Sequence, residues 1–282
     1  MNYLEQYYSN YDEEGRLLSK HGQVEYITTM KYIHNCLDAI TASDTKFTQT
    51  LLNASAAENI AAKANLRILE VGAGTGRYCV ELAKEGYTVD AVELTEHNLQ
   101  ILQNKIAKLT AIQGNALDLS MYADNTFDMT LVLGPLYHLY CDADRIQALR
   151  EAVRVTKPNG YILVAYCMNE AVMIQEAFVR GNLKKLLSKS MLSEDFHCLS
   201  NPEDLFAMIR LEEIYALTKA LPVTRLKTVA TDGATNYMRG MVDAMDDETF
   251  DYWVKYHLSI CERQDLIGAT NHSLDILQKC QI

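Results

Sequence analysis

Strand-length apolar runs alternate with helix-period segments through the middle of the chain. The apolar runs predict five strands: RILEV (67–71), TVDAVEL (88–94), AIQGNAL (111–117), FDMTLVLG (127–134) and YILVAYCM (161–168). Between them, apolar residues at three- and four-residue steps predict helices at 77–86, 96–109 and 142–155. Strands that alternate with helices are typical of a parallel sheet that is covered on both faces. We therefore predict an α/β domain.

Polar residues mark where these elements should begin and end. Thr95 is placed to cap the second of the helices, and Asp142 or Asp144 is placed to cap the third. The sequence TKPNG (156–160) predicts a turn into the fifth strand, because proline and glycine stand where turns accept them.

Both ends of the chain lack this regular alternation. An apolar residue recurs every three or four positions from Tyr26 to Ile40, which predicts one face of a helix. Residues 41–64 predict a second helix and a link into the core. The later elements are predicted as mostly helices at 169–221, a strand at TRLKTVAT (224–231), helices at 241–263 and a closing strand at NHSLDILQKC (271–280).

This change of pattern predicts two parts of unequal size. We expect a helical lid segment at 1–60 and an α/β domain at 61–282. Within the larger part, helical insertions are expected at about 169–221 and 236–265.

The stretch LEVGAGTG (69–76) places three glycines between a predicted strand and a predicted helix. Gly72, Gly74 and Gly76 would let the loop backbone approach a ligand closely. Glu93 ends the next strand, where a carboxylate can accept hydrogen bonds from both hydroxyls of a ribose. A nucleoside-containing ligand is therefore the physical interpretation, and a purely structural strand-to-helix turn is the alternative.

The spacing of the glycines argues against a dinucleotide. The dinucleotide fingerprint is G-x-G-x-x-G, whereas here the third glycine comes one residue early and Arg77 follows it. A carboxylate at Glu70, just before the loop, would repel a pyrophosphate. It would not repel a ligand with a positive amino group and a sulfonium, which favours S-adenosylmethionine over NAD.

The order of motifs resembles the class I S-adenosylmethionine-dependent methyltransferases, particularly the small-molecule type. The motifs are LEVGAGTG, VELT, GNALDLS, DMTLVLGPLYHL and REAVRVTKPNGYILVAY, spread over residues 66–166, with a weaker match in the closing NHSLDILQKC. The resemblance implies a Rossmann-like fold with a mostly parallel seven-stranded sheet and a closing antiparallel strand. It also implies S-adenosylmethionine as the cofactor.

The resemblance assigns residues to each part of this cofactor. It implies that the methionine end is lined by Glu70, Gly72, Ala73 and Gly74, with Gly76 in the same loop. It implies that Glu93 binds the ribose, with Leu94 against the adenine. Asn115 stands where the family often has an acidic residue near the adenine amino group, beside Ala116. The sulfonium would lie by Leu133 and Gly134.

Tyr137 and His138 follow the fourth strand, at the edge where open α/β sheets present their sites. His138 could accept a proton from a substrate hydroxyl or amine, because its ordinary pKa is near neutrality. Alternatively, it only orients the loop or packs under the cofactor. Methyl transfer depends on in-line approach, so positioning could supply most of the rate.

The first residues of the chain are rich in tyrosine, and in this family such a segment often covers the site. Aromatic rings around a sulfonium stabilise it by cation–π interaction and exclude water. Tyr11 and His21 are the lid residues that we single out, and packing of the helix onto the sheet is the alternative for any one tyrosine. We expect His272 to be structural, and we expect no metal site, because the histidines are dispersed along the sequence.

Composition narrows the partners and the compartment. The net charge of −11 disfavours nucleic acids and anionic membranes as partners. Seven cysteines without a C-x-x-C pair, and a beginning without a signal peptide or a membrane-spanning run, predict a cytoplasmic protein. The sequence carries no indication of oligomeric state.

The leading hypothesis is an enzyme that transfers a methyl group from S-adenosylmethionine to a small molecule. Protein or RNA acceptors are alternatives within the same chemistry. A non-catalytic module that binds S-adenosylmethionine and an NAD-dependent oxidoreductase are alternatives from other classes. The glycine spacing and Glu70 disfavour the oxidoreductase.

Overall fold

The computed structural model describes residues 3–11, 15, 17–43, 63–105 and 109–281. They form a seven-stranded sheet in the order β3-β2-β1-β4-β5-β7-β6. The strands are β1 (Arg67–Val71), β2 (Thr88–Glu93), β3 (Thr110–Gln113), β4 (Phe127–Val132), β5 (Thr156–Cys167), β6 (Val223–Ala230) and β7 (His272–Lys279). β7 runs antiparallel to both of its neighbours, β5 and β6, and the pairs among β1 to β5 are parallel. The predicted sheet is confirmed.

The strands read as continuous apolar runs because both faces of the sheet are buried. Successive side chains of a strand point to opposite faces, so Ile68 joins the core on one face and Leu69 joins the core on the other. The same alternation separates Leu163 from Ile162 and Val164 on β5. Helices therefore have to cover both sides of the sheet.

The helices that surround the sheet are short apart from three. The described α-helices are α1 (Tyr3–Tyr8), α2 (Lys20–Ser43), α3 (Cys79–Lys84), α4 (Glu96–Gln103), α5 (Asp142–Val155), α6 (Asn169–Val172), α7 (Leu183–Ser188), α8 (Leu211–Thr218), α9 (Arg239–Asp243), α10 (Asp247–Ile260) and α11 (Gln264–Ile267). A π-helical segment covers Met173–Val179, and 3-10 turns cover Pro135–His138, Pro202–Asp204 and Gly233–Met238.

Neither of the two predicted helix caps forms its side-chain hydrogen bond. Thr95 does occupy the N-cap position of α4, but its hydroxyl donates to Glu93 Oε1 at 2.7 Å and makes no capping bond. The N-cap of α5 is Cys141, and Asp142 and Asp144 lie inside the first turn. Their negative charges there complement the helix dipole.

The turn predicted at TKPNG lies inside the extended segment assigned to β5. Asn159 has a positive φ of 63°, and the register between β4 and β5 shifts between Phe127 and Met129. The chain therefore bends at this point, as the proline and glycine predict, while it keeps its extended pairing with β4.

The amino-terminal segment contains two helices that are packed differently. α2 places Tyr32, Ile33 and Leu37, each 2% exposed or less, in the core on one face of the sheet. α1 has no buried residue. The predicted lid therefore applies best to α1, since α2 is part of the core. The second helix predicted within 41–64 falls largely on 44–62, outside the described residues.

The late insertions combine short helices with loops. Between β5 and β6, helical turns cover only part of the predicted 169–221, and an isolated bridge joins Leu192 to Cys198. Between β6 and β7, helical turns occupy most of 233–267. Both insertions leave the sheet at its carboxyl edge, where the loop after β4 also lies.

In the parts of the chain described above, no helix combines the length and the apolar character needed to cross a membrane. The cysteines are all free thiols.

Candidate active site

Two cavities adjoin at the carboxyl edge of the sheet. The smaller, of ≈260 Å³, is lined by the glycine loop and by the ends of β2 and β4. The larger, of ≈820 Å³, is lined by the amino-terminal segment and the two late insertions. Tyr8 and Tyr137 line both. Tyr137 and His138 line the smaller cavity. The predicted cofactor residues other than Gly76 also line it: Glu70, Gly72, Ala73, Gly74, Glu93, Leu94, Asn115, Ala116, Leu133 and Gly134.

The three glycines of the loop serve different purposes. All three have positive φ, at 74°, 55° and 92° for Gly72, Gly74 and Gly76, a conformation that favours glycine. A Cβ on Gly72 would lie 2.6 Å from Pro135 Cδ, and one on Gly76 would lie 2.3 Å from Leu102 Cδ1. Packing against neighbouring side chains therefore requires two of them, and Gly76 does not line the cavity.

Glu93 ties the glycine loop to the end of β2. Its Oε2 accepts from the backbone N–H of Gly74 at 2.8 Å, and its Oε1 accepts from the N–H and the hydroxyl of Thr95 at 2.9 and 2.7 Å. The side chain is buried yet lines the cavity. Its carboxylate is thus held in one orientation, with one lone pair, on Oε2, left for a ligand.

Glu70 is a buried carboxyl group beneath the same loop. Burial raises the pKa of Glu70 to about 7, although its Oε2 accepts from the Cys79 backbone N–H at 2.8 Å. A cation in the cavity would favour the ionised form and lower this pKa. The site is therefore matched to a positively charged group.

Arg77 supplies positive charge to the same cavity. Its guanidinium carbon lies 4.3 Å from the centre of the Tyr26 ring, and its Nε is buried with no hydrogen-bond partner among the described residues. Arg77 lines the cavity, so its positive charge is available to an anionic group of a ligand. The sequence signal was its position directly after the third glycine.

Asn115 uses its side chain to shape the turn after β3. Its Oδ1 accepts from the Leu117 backbone N–H at 3.0 Å, which is a local bond typical of asparagine in turns. The assignment of this oxygen to the adenine amino group thus remains a prediction that depends on its second lone pair.

His138 is enclosed between the amino-terminal segment and the late insertion. Its Nδ1 lies 2.7 Å from the carbonyl oxygen of Leu205, which can only accept, so Nδ1 carries the proton. Nε2 then accepts from the Tyr8 hydroxyl at 2.9 Å. Burial lowers the pKa of His138 to about 4. His138 is therefore neutral at pH 7 and holds α1 against the site.

Comparison with known proteins agrees with this geometry. Residues 69–164 match the family model described as a methyltransferase domain. The chain is 27% identical to norajmaline N-methyltransferase of Rauvolfia serpentina over 145 residues, which are 49% of this chain and 48% of that protein. It is 30% identical to demethylmenaquinone methyltransferase of Corynebacterium efficiens over 132 residues, or 47% and 55% of the two chains. Residues 69–164 therefore form a methyltransferase domain.

Solved structures place the methyltransferase in the same fold. A SAM-dependent methyltransferase from Methanosarcina mazei aligns with a TM-score of 0.51 at 14% identity, over 77% of this chain and 93% of that one. One from Archaeoglobus fulgidus aligns with a TM-score of 0.50 at 13% identity, over 77% and 87%. At such identities the likeness concerns the fold. This methyltransferase spans about half the length of the two curated relatives named above.

The larger cavity of the methyltransferase contains both predicted lid residues. Tyr11 stacks on Tyr7 with ring centres 5.0 Å apart. His21 pairs with Asp243 through Nδ1, at 2.7 Å from Oδ2. Both line this cavity rather than the smaller one, so they face the region beside the cofactor residues.

Sequence reasoning missed several residues of this cavity. Tyr8, which contacts His138 and borders both cavities, was not distinguished from its neighbouring tyrosines. Glu25, Asp232 and His272 meet at the cavity wall, although they stand far apart in the sequence. His272 was expected to be structural, and no motif connects these three positions.

Proposed function

We propose that this methyltransferase transfers a methyl group from S-adenosylmethionine to a small-molecule acceptor. The observation that carries the proposal is the pair of cavities that meet at Tyr8 and Tyr137. One cavity is lined by the family's cofactor residues, and the other is large enough for a separate small molecule. A donor and an acceptor that enter from the two sides would meet at these tyrosines.

The smaller cavity fits the charge pattern of S-adenosylmethionine. The positive charge of Arg77 suits the carboxylate of the methionine end, and the Glu70 carboxyl suits its amino group. Glu93 has one free acceptor site for a ribose hydroxyl, and Leu94, 38% exposed, offers an apolar surface to the adenine. When bound, the cofactor supplies an electrophilic methyl group on a sulfonium.

The chain's own residues would position the acceptor and exclude water. Tyr137 donates its hydroxyl to the Leu133 carbonyl at 3.0 Å, which fixes its ring at the junction of the cavities. Tyr8 is held there by His138. His138 does not line the larger cavity, and we infer that it acts through Tyr8 as a positioning residue rather than as a proton acceptor.

A small-molecule acceptor agrees with three observations. The relatives named above are an N-methyltransferase of norajmaline and a methyltransferase of demethylmenaquinone, both small molecules by name. The larger cavity has the volume of a small-molecule site, ≈820 Å³. The net charge of −11 opposes an RNA acceptor. The free cysteines further fit a cytoplasmic enzyme.

The test is a labelling experiment with S-adenosylmethionine that carries a radioactive methyl group. The protein is incubated with three separate acceptor pools: a low-molecular-weight metabolite extract, purified RNA and heat-treated protein. We expect label in the metabolite pool, with release of S-adenosylhomocysteine. Tyr252→Phe, an exposed tyrosine on α10, is the matched control for Tyr137→Phe, which we expect to be slower.

Each other outcome points to a different function. Label in RNA or protein would replace the small-molecule acceptor with a macromolecular one. Binding of S-adenosylmethionine without transfer to any pool would favour the non-catalytic module. Binding of NAD with no binding of S-adenosylmethionine would favour the oxidoreductase.

A further inference from the structure

Three metal-ligating side chains from distant parts of the chain meet at the wall of the larger cavity. His272 Nδ1 lies 2.8 Å from Asp232 Oδ2 and 3.4 Å from Glu25 Oε2. The ligand atoms all lie within 4.8 Å of one another. Neighbouring ligand atoms around a tetrahedral zinc ion, with bonds of roughly 2.0–2.1 Å, are about 3.3 Å apart. The two distances from His272 Nδ1, 2.8 and 3.4 Å, lie on either side of this value, so each carboxylate is near enough to share an ion with the imidazole.

The fold explains why these residues come together. β7 runs antiparallel to β5 and β6, so its first residue, His272, lies at the edge where those strands end and pairs with Cys167. Asp232 follows the end of β6 at the same edge. Glu25 reaches this edge from α2, which covers the sheet. Each ligand thus comes from a different element.

Asp232 is already oriented for coordination. Its Oδ1 accepts from the Thr270 hydroxyl at 2.6 Å and from the backbone N–H groups of Asn271 and His272 at 2.9 and 3.1 Å. These bonds direct Oδ2 toward His272. Hydrogen bonds that hold the free oxygen of a ligating carboxylate are typical of metal sites.

We propose that Glu25, Asp232 and His272 bind a divalent first-row transition ion such as Zn²⁺. One imidazole nitrogen and two carboxylate oxygens form a donor set that such ions accept, whereas Mg²⁺ and Ca²⁺ favour oxygen ligands alone. Three protein ligands leave one position of a tetrahedral ion open. That position faces the larger cavity, because all three side chains line it.

The ion has two roles that follow from this placement. It links α2 to the carboxyl edge of the sheet, so it stabilises the folded chain in proportion to its occupancy. Its open position offers an anchor for an oxygen or nitrogen atom of a molecule in the cavity. The site is separate from the cofactor residues, so its existence does not depend on the proposed methyl transfer.

Calorimetric titration of the tag-free, chelator-treated protein with Zn²⁺ tests the site. We expect saturable binding of about one ion per chain and a melting temperature that rises with Zn²⁺ concentration. Mg²⁺ is expected to bind at least roughly tenfold more weakly, because the imidazole ligand does not suit it.

Variants locate the ion. Glu25→Gln keeps the size of the side chain and removes one carboxylate. We expect its Zn²⁺ affinity to be at least roughly tenfold weaker than that of the wild type. At the Zn²⁺ concentration that stabilises the wild type, its melting temperature should not rise. His272→Ala should abolish the site, and if that variant does not fold, Glu25→Gln carries the test. His97→Ala, an exposed histidine on α4, is the control and should bind as the wild type does.

Three results would overturn the proposal. They are no saturable Zn²⁺ binding, unchanged binding and stabilisation in Glu25→Gln, or equal affinities for Mg²⁺ and Zn²⁺. In the first case the three side chains form only an ion-paired contact between α2 and the sheet.

Discussion

Gly74 differs from the other two glycines of its loop in what it contacts. It donates its N–H to Glu93 and has a φ of 55°, a region that costs a side chain roughly 1–2 kcal/mol. In Gly74→Ala this strain should move the loop, and we expect a fall in S-adenosylhomocysteine affinity of about fivefold or more. Calorimetry measures the affinity, and a melting curve checks that the variant folds.

Gly240→Ala is the matched control for this variant. Gly240 lies on α9, where an added Cβ would meet nothing within 4 Å. The control should bind as the wild type does and should be at least as stable, because alanine favours a helix over glycine. Wild-type affinity in Gly74→Ala would mean that the loop does not position the cofactor.

His138 should make the free energy of unfolding depend on pH. Its pKa in the folded state, about 4, is below the unfolded value of about 6.5. As pH falls below 6.5, the unfolded state takes up the proton first, so stability is lost between pH 6.5 and 4 and is unaffected above that window. The loss by pH 4.5 is roughly 2–3 kcal/mol.

Urea unfolding at pH 7 and pH 4.5 measures this loss in wild type and in His138→Asn. The asparagine amide can still donate to Leu205 but does not titrate. Between pH 7 and pH 4.5, the free energy of unfolding of His138→Asn should therefore fall by roughly 2–3 kcal/mol less than that of the wild type. An equal fall in both proteins would mean that His138 is protonated in the folded state.

The sequence predicts a site residue correctly when the position of that residue follows from the strand to which it belongs. Glu70, Glu93 and Gly134 end parallel strands, and the ends of parallel strands meet at one edge. The contact of His138 with Tyr8 joins residues 130 positions apart, and its contact with Leu205 spans 67. Local pattern carries no information on such contacts, so the low pKa of His138 could not be predicted.

Among the elements, α1 is the candidate lid, because Leu4 and Tyr8 line the cofactor cavity. It has no buried residue, and the hydroxyl of Tyr8 bonds to His138 beside the cofactor cavity. Cofactor binding should therefore slow amide exchange in α1. In Tyr8→Phe one hydrogen bond of about 1 kcal/mol is lost, so exchange in α1 should be roughly fivefold faster.

Hydrogen exchange with mass spectrometry measures both effects. Tyr3→Phe is the control, because Tyr3 is on the same helix and is 50% exposed. It should exchange as the wild type does. Equal exchange in α1 with and without S-adenosylhomocysteine would contradict a lid at this helix.

The strands were easier to predict than the helices around them. A strand buried on both faces is an apolar run with clear ends, as in RILEV and FDMTLV. The cap of α4 was mispredicted because the Thr95 hydroxyl bonds to Glu93 instead of capping its helix. The cap of α5 was mispredicted because that helix already begins at Asp142, after Cys141. The late insertions contain loops, since their residues are held by contacts with the sheet edge rather than by helical periodicity.

In the whole molecule, α2 belongs to the core and α1 does not. Deletion of residues 1–11 should leave a cooperatively folded protein, because it removes no buried residue of α1. Deletion of residues 1–62 also removes Tyr32, Ile33 and Leu37, which stabilise the fold by roughly 1.5–3 kcal/mol each. This sum approaches the whole stability of a typical domain, so the shorter chain should not fold.

Urea denaturation followed by circular dichroism measures both truncations. A chain that begins at Lys63 and unfolds with wild-type cooperativity would show that α2 is dispensable. The sequence indicated the helix through its apolar stripe from Tyr26 to Ile40, but a stripe does not say which surface it covers. The assembly of the larger cavity from α2 and the two insertions likewise depends on contacts between distant segments.

The cavity formed by the glycine loop and Glu93 should bind S-adenosylmethionine. Calorimetric titration of wild type, Glu93→Gln and Glu96→Gln measures this binding. Glu96 is an exposed glutamate on α4 and serves as the control. We expect S-adenosylmethionine and S-adenosylhomocysteine to bind the wild type and the control equally, with no binding of NAD. A hydrogen bond to a charged group is worth about 1.5–3 kcal/mol, so Glu93→Gln should bind roughly ten- to a hundredfold more weakly. Unchanged affinity in Glu93→Gln, or tighter binding of NAD by the wild type, would show that this cavity is not an S-adenosylmethionine site held by Glu93.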